Sequence, residues 1–282
     1  MRRSILPAVV FLFIITQSLH AQCSDAGACV IGGAPVESRH QVSLRYVFGS
    51  SGGDDPLTFH TVQFDGVLDL IEGGALILRL PYRMIDGPLG STSGIGDLTL
   101  LWRQQLWSDH GNTLSLQAGG KIATGPVNEE GLPQAYQPGL GTNDVIVGLS
   151  YETAPWIFAA GYQISTGRSD NDVDRLARGD DLFARAGYRT FIDDVNLGLE
   201  VIAIQRLAED NIRHPVVDDG EFFVDVPDSD QLQVNVMGTS SYEIDERISL
   251  LGQVAVPLLQ RDVNIDGLKR ALTVSVGVQV GI

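Results

Sequence analysis

Arg45, Asp65, Asp69, Arg79, Asp97, Arg103, Lys121, Asp144, Glu152, Arg185, Arg189 and Glu200 carry the chemistry of this 282-residue chain. They are six acids and six bases, and most are flanked on both sides by apolar or small residues. Asn196, Gln117, Gln163, Gln233, Asn235 and Gln253 share their positions in the pattern. Charges set inside an apolar frame must be paired or solvated. Gathered around a closed interior, such a set can brace the wall or line a path for polar solutes, and both uses stay open. An ion-selective pore tends to show one sign of charge at its constriction. The balanced set therefore predicts cross-lumen ion pairs and a narrow or obstructed interior.

A second candidate is the stretch Asp170-Asn-Asp-Val-Asp-Arg-Leu-Ala-Arg-Gly-Asp-Asp181. Asp170, Asp172, Asp174 and Asp181 stand at positions one, three, five and twelve, the spacing of a calcium loop. Arg175 occupies the sixth position, where that loop needs glycine for its sharp turn, and Asp replaces the final Glu. The alternative is a solvated acidic loop bridged by divalent cations to lipopolysaccharide phosphates. The acidic stretch 207–230 reads the same way, with Phe222-Phe-Val224 able to fold over a mouth. Catalysis finds no support: no histidine is followed by Ser two residues later. No cofactor is implied.

The elements that must position these residues are strands. From Leu272 to Ile282 every even position is aliphatic and every odd one is Thr, Ser, Gly or Gln. Side chains alternate faces along a strand. Twelve such stretches are expected, near 41–48, 60–71, 74–83, 95–107, 112–123, 143–152, 155–166, 181–192, 194–206, 231–242, 247–258 and 270–281. Most suit a tilted transmembrane strand of ~9–11 residues. Short connections alternate with long ones rich in Gly, Pro, Asp and Asn. That rhythm belongs to a transmembrane up-and-down antiparallel β-barrel with tight periplasmic turns and long outer loops. The fold expected is all-β.

One parity is expected throughout, with even numbers outward. The lipid face takes Val42, Leu44 and Tyr46; Leu76, Leu78 and Leu80; Leu98, Leu100 and Trp102; Trp156, Phe158 and Tyr162; and Val234, Val236, Val254 and Val256. Val145, Val147, Leu149, Leu197, Leu199 and Val201 are assigned to the same face. Tyr82, Trp102, Tyr151, Trp156, Tyr188 and Tyr242 lie toward strand ends, where interfacial girdles belong. The alternative is a soluble barrel turned inside out, against which the export signal and the loop rhythm weigh.

That signal is residues 1–21: Arg2-Arg3, an apolar run from Ile5 to Ile15, and a small residue, Ala21, at the expected cut. A signal anchor and lipidation of Cys23 are the competing readings. Residues 22–40 form a short periplasmic segment, too short for a plug domain, with Cys23 and Cys29 placed for a small disulfide. The barrel occupies 41–282. Net charge is −16, and loss of Arg2 and Arg3 makes it −18, with Lys121 and Lys269 the only lysines. Such acidity excludes nucleic acid as a partner. Outer-membrane lipid, lipopolysaccharide and a small-molecule solute remain, and nothing sets the oligomeric state.

Three segments, Ser93-Gly-Ile-Gly-Asp-Leu-Thr-Leu100, Lys121-Ile-Ala-Thr-Gly-Pro126 and Pro138-Gly-Leu-Gly-Thr-Asn-Asp-Val-Ile-Val-Gly-Leu149, carry a family likeness. The chain resembles the outer-membrane transporter family associated with the phenol meta-cleavage pathway, most strongly over about 91–166. The resemblance implies an outer-membrane barrel taking up small, often aromatic, compounds, and carries over no functional residue. Gly94, Gly96, Gly139 and Gly141 are expected to serve tight turns and close strand approach. Outer-membrane barrels commonly end in Phe or Trp; here the last residue is Ile282, which bears on assembly. The expectation is a passive channel, with a structural or surface-interaction barrel as its alternative.

Overall fold

A computed structural model describes residues 31–32, 40–214 and 222–282. The signal peptide, the cut after Ala21 and the Cys23–Cys29 pairing fall outside the described residues.

The wall is built from β1 (Gln41–Ser50), β2 (Thr58–Ile71), β3 (Gly74–Gly87), β4 (Gly90–Ile95), β5 (Leu98–Asp109), β6 (Asn112–Ile122), β7 (Asn143–Thr153), β8 (Trp156–Thr166), β9 (Asp181–Ile192) and β10 (Val195–Arg206). A small hairpin, β11 (Asn211–Arg213) and β12 (Phe223–Asp225), stands apart from it. β13 (Leu232–Glu243), β14 (Ile248–Leu259) and β15 (Leu272–Gly281) complete the wall. Each strand pairs antiparallel with its chain neighbour, and β1 pairs with both β2 and β15. The sheet thus closes and leaves no edge. β4 and β5 pair with successive halves of β3 and act as one broken stave, giving a closed barrel of twelve staves.

The expected fourth strand, 95–107, differs in detail. The stave begins at Gly90 and breaks at Gly96-Asp97. Opposite the break is Pro81, whose carbonyl accepts the Gly96 N–H at 2.8 Å. Proline has no N–H to return to the ladder, so regular pairing stops there.

The single-parity rule fails in β7 and β10, where the outward residues Val145, Val147, Leu149, Leu199 and Val201 carry odd numbers. The reason is geometric. Directly opposed residues share a face, and a two-residue turn opposes i to i+3, so parity flips. Thr153 faces Trp156 across Ala154-Pro155, and Ile192 faces Val195 across Asp193-Asp194. The turns at Glu72-Gly73 and His110-Gly111 are also two residues long. There, register shifts beside Leu70 and Leu106 insert one extra residue and restore the parity. Asp144, Glu152 and Glu200 are accordingly even-numbered residues on the inner face. The alternation itself is clear: Val276 is 59% exposed and Ser275 is 6% exposed.

Candidate functional site

Inside the barrel, three layers follow one another from the outer mouth toward the periplasm. The first is a cap of outer loops. Gln134, in the 123–142 loop, donates its backbone N–H to Asp174 Oδ2 (2.8 Å) and its amide to the Gly139 carbonyl (2.6 Å). It also accepts from the Ser169 hydroxyl at 2.5 Å. Asn171 donates to the carbonyls of Val127 (2.5 Å) and Leu132 (3.0 Å). All three polar side chains are buried and partnered, which fastens the 123–142 and 167–180 loops to each other.

Asp97 ties the cap to the wall. Its carboxylate accepts the backbone N–H groups of Gly125 (3.1 Å) and Leu140 (2.7 Å). Gly139 donates its N–H to the Pro126 carbonyl at 3.1 Å. A Cβ on Gly139 would lie 2.6 Å from the Gly125 oxygen, and one on Gly94 would lie 3.0 Å from Pro126 Cγ. The three segments that carry the family likeness therefore meet at one fastening point, and their glycines are there because backbones touch.

Beneath the cap lies a buried charge network. Arg206 pairs with Asp181 (3.1 Å), Asp210 (2.7 Å) and Asp266 (3.0 Å), and Arg261 reaches Asp266 at 3.4 Å. Arg178 pairs with Asp144 at 2.5 Å, Gln163 donates to Asp144 at 2.6 Å, and Lys121 stands directly opposite Asp144 in the ladder. The calcium-loop carboxylates are dispersed by these bonds. Asp181 serves Arg206, Asp174 serves Gln134, and exposed Asp170 lies 3.7 Å from Arg175. Among the described residues, no three metal-ligating side chains gather at one point.

The third layer is apolar. Ile77, Leu101, Ile146, Phe183, Ile202 and Met237 point inward and pack with Ile31. Ile31 and Gly32 therefore lie inside the barrel, within a segment expected in the periplasm. Arg185 donates to the Ile31 carbonyl at 3.1 Å. The remaining charges complete the wall. Arg185 donates Nε to Glu200 at 2.7 Å, and Arg189 lies 3.9 Å from both Glu200 and Glu152. Arg103 lies 3.9 Å from Asp69. On β1–β3, Asp65 is reached by Arg79 (2.7 Å) and Arg45 (3.5 Å).

All twelve wall charges thus face inward, and most form ion pairs. The apolar layer and Arg83, Arg178, Arg206, Arg261 and Arg270 were not anticipated. Runs with no polar partner residue, such as Val145-Ile-Val147 and Val201-Ile-Ala-Ile204, were the available signal, because both faces of those strands are apolar.

The packing leaves a cavity of about 740 Å³ lined by β1–β3, β6–β10 and β13–β15. It runs from the periplasmic rim, at Gln41, Asn196 and Gln279, up to Phe59, Arg83 and Arg270. Closed wall, apolar exterior and internal cavity can be set beside known structures. The COG4313 outer membrane channel from Pseudomonas putida F1 is similar at 17% identity and TM-score 0.64, over 92% of this chain and 100% of that one. This is an outer-membrane β-barrel fold. The transport unit of the autotransporter AIDA-I from Escherichia coli is similar at 12% identity and TM-score 0.52, over 91% and 96% of the two chains. No family model and no curated protein sequence matches. For this outer-membrane barrel, the exposed ring pair Trp156–Tyr188, with centroids 5.0 Å apart, sits at the periplasmic ends of β8 and β9 as an interfacial anchor.

Proposed function

We propose that the chain is a narrow passive channel of the bacterial outer membrane for small organic solutes. The observation that carries this reading is the 740 Å³ lumenal cavity, whose lining mixes arginines and amides with Phe59, Val47, Ile77 and Met237. Twelve staves leave more room than the eight that side chains alone can fill. The mixed lining suits molecules with an apolar body, in keeping with the sequence resemblance to transporters of aromatic compounds. The surface-interaction alternative gains no support from the acidic loops, because Asp174, Asp181 and Asp210 are turned inward onto protein donors.

Liposomes carrying the refolded chain test the channel. Swelling in isosmotic small organic solutes, faster than in protein-free liposomes, is expected. Swelling no faster than protein-free liposomes for every solute, from a barrel with heat-modifiable gel migration, would reject it.

A further inference from the structure

We infer that the β1–β3 wall of the lumen binds small organic carboxylates through a ladder of arginines, an assignment that rests on the channel reading and names its solute class. Strand register sets the ladder. Ser43, Asp65 and Arg79 oppose one another in one row; Arg45, Gln63 and Pro81 form the next. Val47, Thr61 and Arg83 form the third row, and Gly49, Phe59 and Ile85 the fourth. Successive rows are two residues apart, a rise of about 6.6 Å. One arginine therefore stands on each of three consecutive steps. Arg270 lies across Gly49 at the fourth, its guanidinium 3.2 Å from the centre of the Phe59 ring.

The charge on this wall does not balance. Among the cavity-lining residues of β1–β3, Asp65 is the one acid beside Arg45, Arg79 and Arg83, and around the whole cavity six arginines face the four acids Asp65, Glu152, Glu200 and Glu243. Asp65 is already engaged: it accepts Arg79 Nε at 2.7 Å and the Gln63 amide at 2.8 Å. Arg45 lies 3.5 Å from it, and Arg45 Nε is buried without a hydrogen-bond partner. A chain with 35 acids and 19 lysines and arginines has concentrated positive charge here, against its overall balance. A guanidinium is matched by a carboxylate, which accepts two parallel N–H bonds. The ladder is interleaved with Val47, Pro81 and Phe59, which give an apolar body something to lie against. Inorganic anions offer charge without that body, so the wall fits an organic acid better than a bare ion.

The test uses the full refolded chain with benzoate as probe, benzyl alcohol as its neutral counterpart and sulfate as a bare anion. Binding is read by titration calorimetry in detergent, and current block is read in planar bilayers. Benzoate should bind about tenfold more tightly than benzyl alcohol, the margin expected of a charge-assisted pair. Arg45→Gln and Arg83→Gln should each weaken benzoate about tenfold, and Arg45→Lys less. Asp65→Asn removes the competing carboxylate and should tighten benzoate several-fold. That gain cannot come from misfolding, and heat-modifiable migration checks every variant. Equal binding of benzoate and benzyl alcohol, or an Asp65→Asn change that weakens binding, overturns the assignment. Sulfate displacing benzoate at equal concentration overturns its organic part. Benzoate binding without flux would leave the site standing and remove the channel; flux without anion preference would do the reverse.

Discussion

Arg206 is fully enclosed, and three carboxylates converge on it. Burial by itself would raise the Asp266 carboxyl, but Arg261, Arg206 and Arg178 outweigh it and hold that group below the usual carboxylate range. Asp210 goes the other way: burial, reinforced by the charge of Asp266, outweighs Arg206 and raises it. The signs give a pH window. A depressed carboxylate contributes stability above its ordinary value of about 4 and loses it as pH falls through the folded-state value. A raised one is costly to ionise, so protonation on acidification relieves the fold. Between pH 7 and pH 5 the cap should therefore not loosen, and loosening should begin only below about pH 4. Protease cleavage within the 260–271 loop, followed against pH, measures this; cleavage rising already at pH 6 would contradict it. Asp266→Asn should destabilise more than Asp210→Asn, because Asp266 is the carboxylate the arginines hold ionised. Arg206→Gln strands three acids and should cost about 3–5 kcal/mol in urea titration, the range for breaking a buried pair.

At the scale of elements, the strands were legible because one of their faces meets lipid, and a period of two cannot be kept by accident over ten residues. Nearly all boundaries lie within two residues of the expected ones, apart from the outer end of β3 and the start of the broken stave. The parity flips were legible only in part, since a two-residue turn can be counted but a compensating bulge beside Leu70 or Leu106 leaves no sequence mark. The loop anchor was half visible: its glycines were singled out, and Asp97 was placed on the wall. What it grips, the N–H groups of Gly125 and Leu140, depends on how a long loop returns to the wall. Asp97→Ala leaves the buried Leu140 N–H and the half-buried Gly125 N–H without their acceptor and should cost about 1–3 kcal/mol for the buried one. Gly139→Ala forces a methyl group to 2.6 Å from the Gly125 oxygen and should detach the same loop. Both variants should raise single-channel conductance by freeing the mouth. Unchanged conductance together with unchanged proteolysis of 123–142 would show that Asp97 does not fasten the cap.

For the whole molecule, wall and filling obey different rules. The wall is fixed by lipid outside and hydrogen bonding within, and both act locally along the chain. The filling is set by side chains that meet from distant strands: Phe183, Leu101, Ile146 and Ile202 share a layer only once the barrel has closed. Phe183 is the side chain on which this layer turns. Its ring lies where a Gly161 Cβ would need to be, with Cζ 2.4 Å from that position, so a glycine on β8 admits a phenyl group from β9. Phe183→Ala should open space between the 740 Å³ cavity and the charge network beneath the cap. The loss of packing should cost about 3–5 kcal/mol. Destabilisation of a membrane barrel need not abolish insertion, so the variant is measured in two ways. Urea titration should show reduced stability, and bilayer recordings should show increased current with less discrimination among solutes. A stability loss without any gain in current would mean that the apolar layer braces the wall, and that solutes travel along the arginine side alone.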